Sequence, residues 1–175
     1  MREAGAEETE LTSKEKFLRR KEYVNRHPQV FRGMRLLSSL ITGIVFVSYP
    51  VLLVILLLQS RFSELLPAVL VPGISFVLLS FLRGRVNAPR PYEVWGIEPL
   101  VPKETRGHSH PSRHLFSIYV LAMVWASFYP PVGLTFLVLG VYLGWYRVYT
   151  GIHFTRDVLA GAVCGLAAGA VMFLI

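Results

Sequence analysis

MRLLSSLITGIVFVSYPVLLVILLLQ, residues Met34 to Gln59, is a nearly continuous run of Leu, Ile and Val. A bilayer-spanning helix needs ~20 mostly apolar residues, because lipid offers no partner to free backbone N–H and C=O groups. This run is long enough to cross. Pro50 within it predicts a kink for neighbouring helices to accommodate. Further along, a second run covers about Glu64 to Leu82. Beyond a long polar stretch lie His114 to Tyr129, Val132 to Tyr149 and Val158 to Ile175. The expected fold is therefore all-α, a polytopic membrane bundle of about five spans. The third span is the shortest, closed by a tight Pro130-Pro131 hairpin. Composition agrees: 53% of the 175 residues are hydrophobic and the mean hydropathy is +0.49, outside the range of soluble globular domains.

The stretch 1–33 precedes this membrane domain of residues 34–175. It mixes charges throughout and has no apolar core or small-residue cleavage site, so it does not read as a signal peptide. Thr12-Ser13-Lys14-Glu15 has the spacing of a capping box, and Phe17, Leu18 and Val24 fall on one side of the helix it would open. An interfacial amphipathic helix ending before Pro28 is expected, against the alternative of a solvated tail. The net charge of +7 and pI near 9.9 would suggest nucleic acid in a soluble protein. Here they follow from membrane topology and anionic headgroups, so membrane lipids and not nucleic acid are the expected partners. The single cysteine, Cys164, lies in the last apolar run, which excludes an intramolecular disulfide and leaves it to packing.

If the spans alternate, one face of the membrane receives the N-terminal segment, the connection from Arg83 to Arg113 and the junction around Thr150. Every Lys and Arg except Arg61 then falls at that face. Such asymmetry marks the cytoplasmic side of a cell membrane. About thirty irregular residues in the long connection also need a functional reason.

Three polar clusters converge on that face: Arg83-Gly-Arg-Val-Asn-Ala-Pro-Arg90-Pro91, His110-Pro111-Ser112-Arg113-His114, and Arg147-Val-Tyr-Thr-Gly-Ile-His153-Phe-Thr-Arg-Asp157. Each alone has an ordinary explanation. Arginines at helix ends snorkel or cap, as expected of Arg85 and Arg106, and a His–Asp pair four apart can be a surface contact. Their conjunction at one depth is what points to chemistry. Planar guanidinium forks match phosphoryl oxygens with paired, charge-assisted hydrogen bonds, which suits Arg83, Arg90 and Arg147. Pro111 and Ser112 open a helix whose free N–H groups attract anions. On a helix, Asp157 would accept from one nitrogen of His153 and leave the other free to attack phosphorus. His114, from a different helix, would protonate the departing alkoxide.

These clusters resemble the signature motifs of the type 2 phosphatidic acid phosphatase (PAP2) superfamily. The first family motif is Lys, six residues, Arg-Pro, against Arg83 and Arg90-Pro91. The second is Pro-Ser-Gly-His, against Pro111-Ser112-Arg113-His114. The third is Ser-Arg, five residues, His, three residues, Asp, against Tyr146-Arg147, His153 and Asp157. Three positions depart from it: Arg83 replaces a lysine, Arg113 a glycine whose N–H helps hold phosphate, and Tyr146 a serine. The resemblance implies a phosphohistidine at His153 oriented by Asp157, and His114 as acid and then activator of water. It also implies a phosphate cradle of Arg83, Arg90, Ser112, Arg113 and Arg147, with no metal or other cofactor.

The substrates it suggests are polyprenyl pyrophosphate, phosphatidic acid or phosphatidylglycerol phosphate. Alternatives are phosphotransfer between lipids through the same site, or a silent lipid-binding protein. His108, His110 and His114 also form a His-rich cluster able to bind zinc, a reading that leaves the arginines and Asp157 unexplained. Finally, Gly161, Gly165 and Gly169 recur every fourth residue, which predicts close helix packing within the bundle, or in a homo-oligomer.

Overall fold

The computed structural model describes the backbone of residues 2–175 and the side chains from Ser13 onward. Seven α-helices follow one another: α1 (Arg2–Arg26), α2 (Pro28–Leu58), α3 (Phe62–Val86), the short α4 (Pro91–Trp95), α5 (Arg113–Phe128), α6 (Pro130–Tyr149) and α7 (Thr155–Ala170). A 3₁₀ turn (Val171–Phe173) closes the chain, and the described residues contain no strand. The helices α2, α3 and α6, and α7 together with the 3₁₀ turn that continues it (Thr155–Phe173), are long and apolar enough to cross a membrane. The fifth apolar helix, α5, has 16 residues. At 1.5 Å rise per residue it is about 24 Å long, shorter than the hydrocarbon core.

Its surroundings explain why α5 needs no greater length. It packs against α2, α3, α6 and α7. Buried residues such as Leu115, Phe116, Ile118, Leu121, Ala122 and Trp125 point in every direction from its axis, the pattern of a helix enclosed by others. Opposite this hub, α2 and α3 turn Leu40, Ile44, Val47, Val51, Leu70, Ile74, Val77 and Phe81 outward. Apolar surface of that extent suits lipid rather than water. Pro50 does not interrupt α2. Near it, the Tyr49 hydroxyl donates to the Ala68 carbonyl at 2.9 Å and Trp125 Nε1 donates to Ser48 Oγ at 3.1 Å, tying the kink-prone turn to α3 and α5.

The glycine repeat of α7 is spent inside the bundle. A Cβ at Gly161 would lie 2.4 Å from the Ser112 carbonyl oxygen, at Gly165 2.6 Å from the Phe116 carbonyl oxygen, and at Gly169 2.3 Å from Met123 Cβ. Only hydrogen at these positions lets α7 approach the backbone of α5, which fixes the start of α5 beside the start of α7.

The N-terminal helix differs from its expected form. Thr12 and Ser13 lie inside α1, which starts at Arg2, so they do not open it; its end at Arg26 agrees with the expected stop before Pro28. Phe17 and Val24 are buried while Leu18 is exposed. Phe17 packs on the Trp95 ring, 5.5 Å between centroids, and fills the space a Cβ on Gly151 would occupy. Arg20 lies over the Tyr149 ring and Lys21 Nζ donates to the Glu98 carbonyl at 3.3 Å. The apolar side of α1 therefore grips the protein, close to the three polar clusters.

Candidate active site

The first cluster begins where α3 stops. Asn87 takes a left-handed conformation (φ 40°) and breaks the helix just past Arg83. Arg83 is buried and donates from Nη1 to the Pro111 carbonyl at 3.1 Å. The long connection is folded by Glu93, which accepts from Arg90 N–H at 2.7 Å and from Gly107 N–H at 2.8 Å, and by the Tyr92 hydroxyl, which donates to the Thr105 carbonyl. With the loop drawn in, Arg90 is buried and its guanidinium reaches the carbonyls of Gly107 (3.1 Å) and Ile152 (3.4 Å).

The second cluster forms the N-terminus of α5. Ser112 is the buried N-cap, and its backbone N–H donates to the Asp157 carbonyl at 2.9 Å, joining the second cluster to the third. Arg113, at the first helical position, sends its guanidinium over Phe76 of α3, 5.9 Å from the ring centroid. The side chain that replaces the expected glycine thus leaves its backbone N–H at the helix end. His114 Nε2 lies 3.3 Å from Thr42 Oγ1 of α2, a contact that the sequence did not suggest.

The third cluster leaves α6 through Arg147 in its last turn and crosses Gly151 (φ 73°) to His153. His153 precedes α7 and does not sit on it, so the helical i, i+4 geometry expected for His153 and Asp157 does not form. Their closest approach, Nδ1 to Oδ2, is 3.8 Å, too long for a hydrogen bond. Between them stands a residue that the sequence reading missed. Ser109 Oγ donates to Asp157 Oδ2 at 2.5 Å and lies 3.2 Å from His153 Nδ1. Asp157 Oδ2 also accepts from Phe154 N–H at 3.1 Å, and Oδ1 faces His110 Nδ1 at 3.1 Å. A serine in a polar loop carries no periodicity and no charge, so nothing in the sequence marked it.

Six of the expected residues line one cavity of 380 Å³: Arg83, Arg90, Arg113, His114, Arg147 and His153. Asp157 and Ser112 are fully buried and do not line the cavity. Lys103 and Arg106 from the long connection join the lining, and no carboxylate does among the described residues. Arg83 Nε, Arg147 Nε and Ser112 Oγ are buried without a hydrogen-bond partner among the described residues. Buried donors of this kind are costly unless a ligand satisfies them, and tetrahedral anion oxygens would. Burial pushes the His153 imidazole below its ordinary pKa; Asp157 opposes this, while Arg90 and Arg83 add to it. Lys103 is lowered by burial and then by Arg90, Arg147, Arg83 and Arg113.

The histidines expected to compete for zinc disperse. His108 Nδ1 lies by the Arg83 carbonyl, His110 by Asp157 and His114 by Thr42. No group of three His, Cys, Asp or Glu side chains among the described residues is arranged to hold a metal ion.

A multi-pass helical membrane protein with a cationic cavity at one end of its bundle is the class defined by this fold and site. Residues 52–175 match the model of the PAP2 superfamily, and the chain belongs to that superfamily. Among solved structures it is similar to Aquifex aeolicus LpxE, at 24% identity and TM-score 0.67, over 85% of this chain and 88% of that one. It is also similar to the first transmembrane PAP2-type phosphatidylglycerolphosphate phosphatase from Bacillus subtilis, at 24% identity and TM-score 0.57, over 94% of each chain. Curated proteins yield no sequence match.

Proposed function

We propose that the protein is a membrane-embedded phosphatase that hydrolyses a lipid phosphomonoester or pyrophosphate through a phosphohistidine at His153. The observation that carries this reading is the convergence of two histidines and three arginines from different helix ends on one cavity that, among the described residues, has no carboxylate in its lining and leaves buried donors without a partner. Arg83, Arg90 and Arg147 hold the phosphoryl oxygens, and the N-terminus of α5 adds its N–H groups. A lowered pKa keeps His153 neutral, and so nucleophilic, near neutral pH.

His153 attacks phosphorus from Nε2 as the bond to the lipid oxygen breaks, and His114 gives that oxygen a proton. Water, deprotonated by His114, then cleaves the N–P bond and releases inorganic phosphate. Both steps use side chains of this chain alone. Membership of the superfamily and the fold shared with a transmembrane PAP2-type phosphatidylglycerolphosphate phosphatase support the reading.

Two features bear on substrate and sidedness. Ser80 and Gly84 of apolar α3 form part of the cavity wall, so a lipid tail would lie along α3 with its headgroup turned inward. Lys103 and Arg106, outside all three motifs, form no side-chain hydrogen bond or ion pair among the described residues and add charge beyond the needs of one phosphate. This favours a substrate with two phosphoryl groups, such as a polyprenyl pyrophosphate or phosphatidylglycerol phosphate, over phosphatidic acid. The basic helix α1 packs beside the site, so the site shares the face of the N-terminal charges, and we assign that face to the cytoplasm of the cell.

Phosphate release from these three lipids in detergent containing EDTA tests the proposal. Activity that persists with chelator and vanishes in His153→Ala and His114→Ala is expected. Loss with EDTA and recovery with zinc would overturn metal independence. Transfer to a lipid acceptor without free phosphate would replace hydrolysis with phosphotransfer, and a protein that binds lipid without turnover would be a silent relative.

A further inference from the structure

Ser109 belongs to none of the three motifs, yet it is fully buried at the centre of the site. Its backbone N–H donates to the Ala88 carbonyl at 2.8 Å, which fixes the residue on the floor of the long connection. Its hydroxyl has one proton to give. An ionised carboxylate only accepts, so that proton goes to Asp157 Oδ2 at 2.5 Å. The remaining lone pairs of Oγ face His153 Nδ1 at 3.2 Å, and a lone pair there calls for a proton on Nδ1.

We infer that Ser109 is a positioning residue that sets the tautomer of the nucleophile through a relay from His153 Nδ1–H to Ser109 Oγ–H to Asp157. The inference rests on His153 being the nucleophile. The carboxylate does not replace the relay by itself, because its nearest oxygen is 3.8 Å from Nδ1. Both of its oxygens are also engaged: Oδ2 by Ser109 and Phe154 N–H, and Oδ1 by His110 Nδ1 with Arg156 Nε at 3.9 Å.

With Nδ1 protonated, the Nε2 lone pair is the one available to phosphorus. When the Nε2–P bond forms and the P–O bond to the leaving group breaks, the imidazole becomes cationic. Nδ1 keeps its proton, and the relay spreads the positive charge toward Asp157. When water attacks phosphorus and the Nε2–P bond breaks, the neutral Nδ1–H tautomer returns. His114 supplies the proton taken by the leaving oxygen and regains one from water. Without Ser109, the Nε2–H tautomer becomes accessible, and in it Nε2 has no lone pair with which to attack.

The test joins spectroscopy to kinetics. Nitrogen-15 NMR of histidine-labelled protein in detergent, with His153→Gln used to assign the signal, should show His153 in the Nδ1–H form. In Ser109→Ala the Nε2–H form should appear. Ser109→Ala should lower kcat about 10- to 100-fold, the range for loss of a supporting hydrogen bond, with KM little changed. Ser109→Thr, which restores a hydroxyl, should recover much of that loss. Wild-type His153 in the Nε2–H form would overturn the relay, as would an unchanged tautomer in Ser109→Ala. A tautomer shift in a protein that releases no phosphate from any lipid would uphold the relay and sink the phosphatase reading.

Discussion

Arg83 donates from Nη1 to the Pro111 carbonyl at 3.1 Å, so the end of α3 is tied to the residue just ahead of the N-cap of α5. Its Nε is buried and has no hydrogen-bond partner among the described residues. The guanidinium has donors enough to brace the backbone with one nitrogen and face the cavity with another.

This division of labour predicts an ordered series at position 83. Arg83→Lys keeps the charge but has one nitrogen for two tasks, so kcat/KM should fall about tenfold, or ~1.4 kcal/mol of transition-state stabilisation. Arg83→Gln loses the charge and should fall at least another tenfold. Equal activity in all three proteins would remove Arg83 from the phosphate cradle.

The depressed pKa of His153 predicts the acid side of the pH profile. Nucleophilic attack needs the neutral ring, so kcat/KM should rise with pH through the folded-state pKa of His153. Because that pKa is lowered, the midpoint should lie below the 6.5 of an ordinary histidine. Asp157 pulls against the shift, so Asp157→Asn should move the limb further to acid while lowering the maximum rate. Comparing the two proteins on one substrate cancels the ionisation of the substrate phosphate. A limb that moves to higher pH in Asp157→Asn would contradict this assignment.

Close packing of α7 on α5 predicts a structural cost with a catalytic consequence. Gly161→Val pushes a side chain into the Ser112 carbonyl, where a Cβ alone would lie 2.4 Å away. Overpacking of this kind costs about 1–3 kcal/mol. Thermal unfolding in detergent should show a lower midpoint, and activity should fall because the displaced residue is the N-cap of α5. Gly43→Ala, where a Cβ meets nothing within 4 Å, is the control and should change neither.

What the sequence revealed, and what it hid, follows from how each residue is marked. Arg83, Arg90, His114, Arg147 and His153 are polar residues at the ends of apolar runs, and alternation of the spans already brings them to one face; the structure gathers them around one cavity. Thr42 was not legible, because a threonine inside an apolar helix looks like any weakly polar spacer, and its contact with His114 spans 72 positions. Lys103 lies in an irregular loop whose path depends on Glu93, and Glu93 acts through backbone groups that sequence does not display. Phe17 and Val24 were visible as an apolar stripe. A stripe says that a helix is covered on one side; the docking partner, here Trp95 and Gly151, comes only with the tertiary fold. The His153–Asp157 spacing was misread for a similar reason: four residues mean one helix face only if both are on the helix.

The central claim is a covalent bond between phosphorus and His153. Brief incubation of the purified protein with terminally radiolabelled polyprenyl pyrophosphate, followed by denaturation, measures it directly. Label should remain on the chain with the acid-labile, base-stable behaviour of a phosphoramidate, map to His153, and be absent from His153→Ala. Turnover that leaves no label on His153 in a rapid-quench time course, or label found on another side chain, would contradict the account.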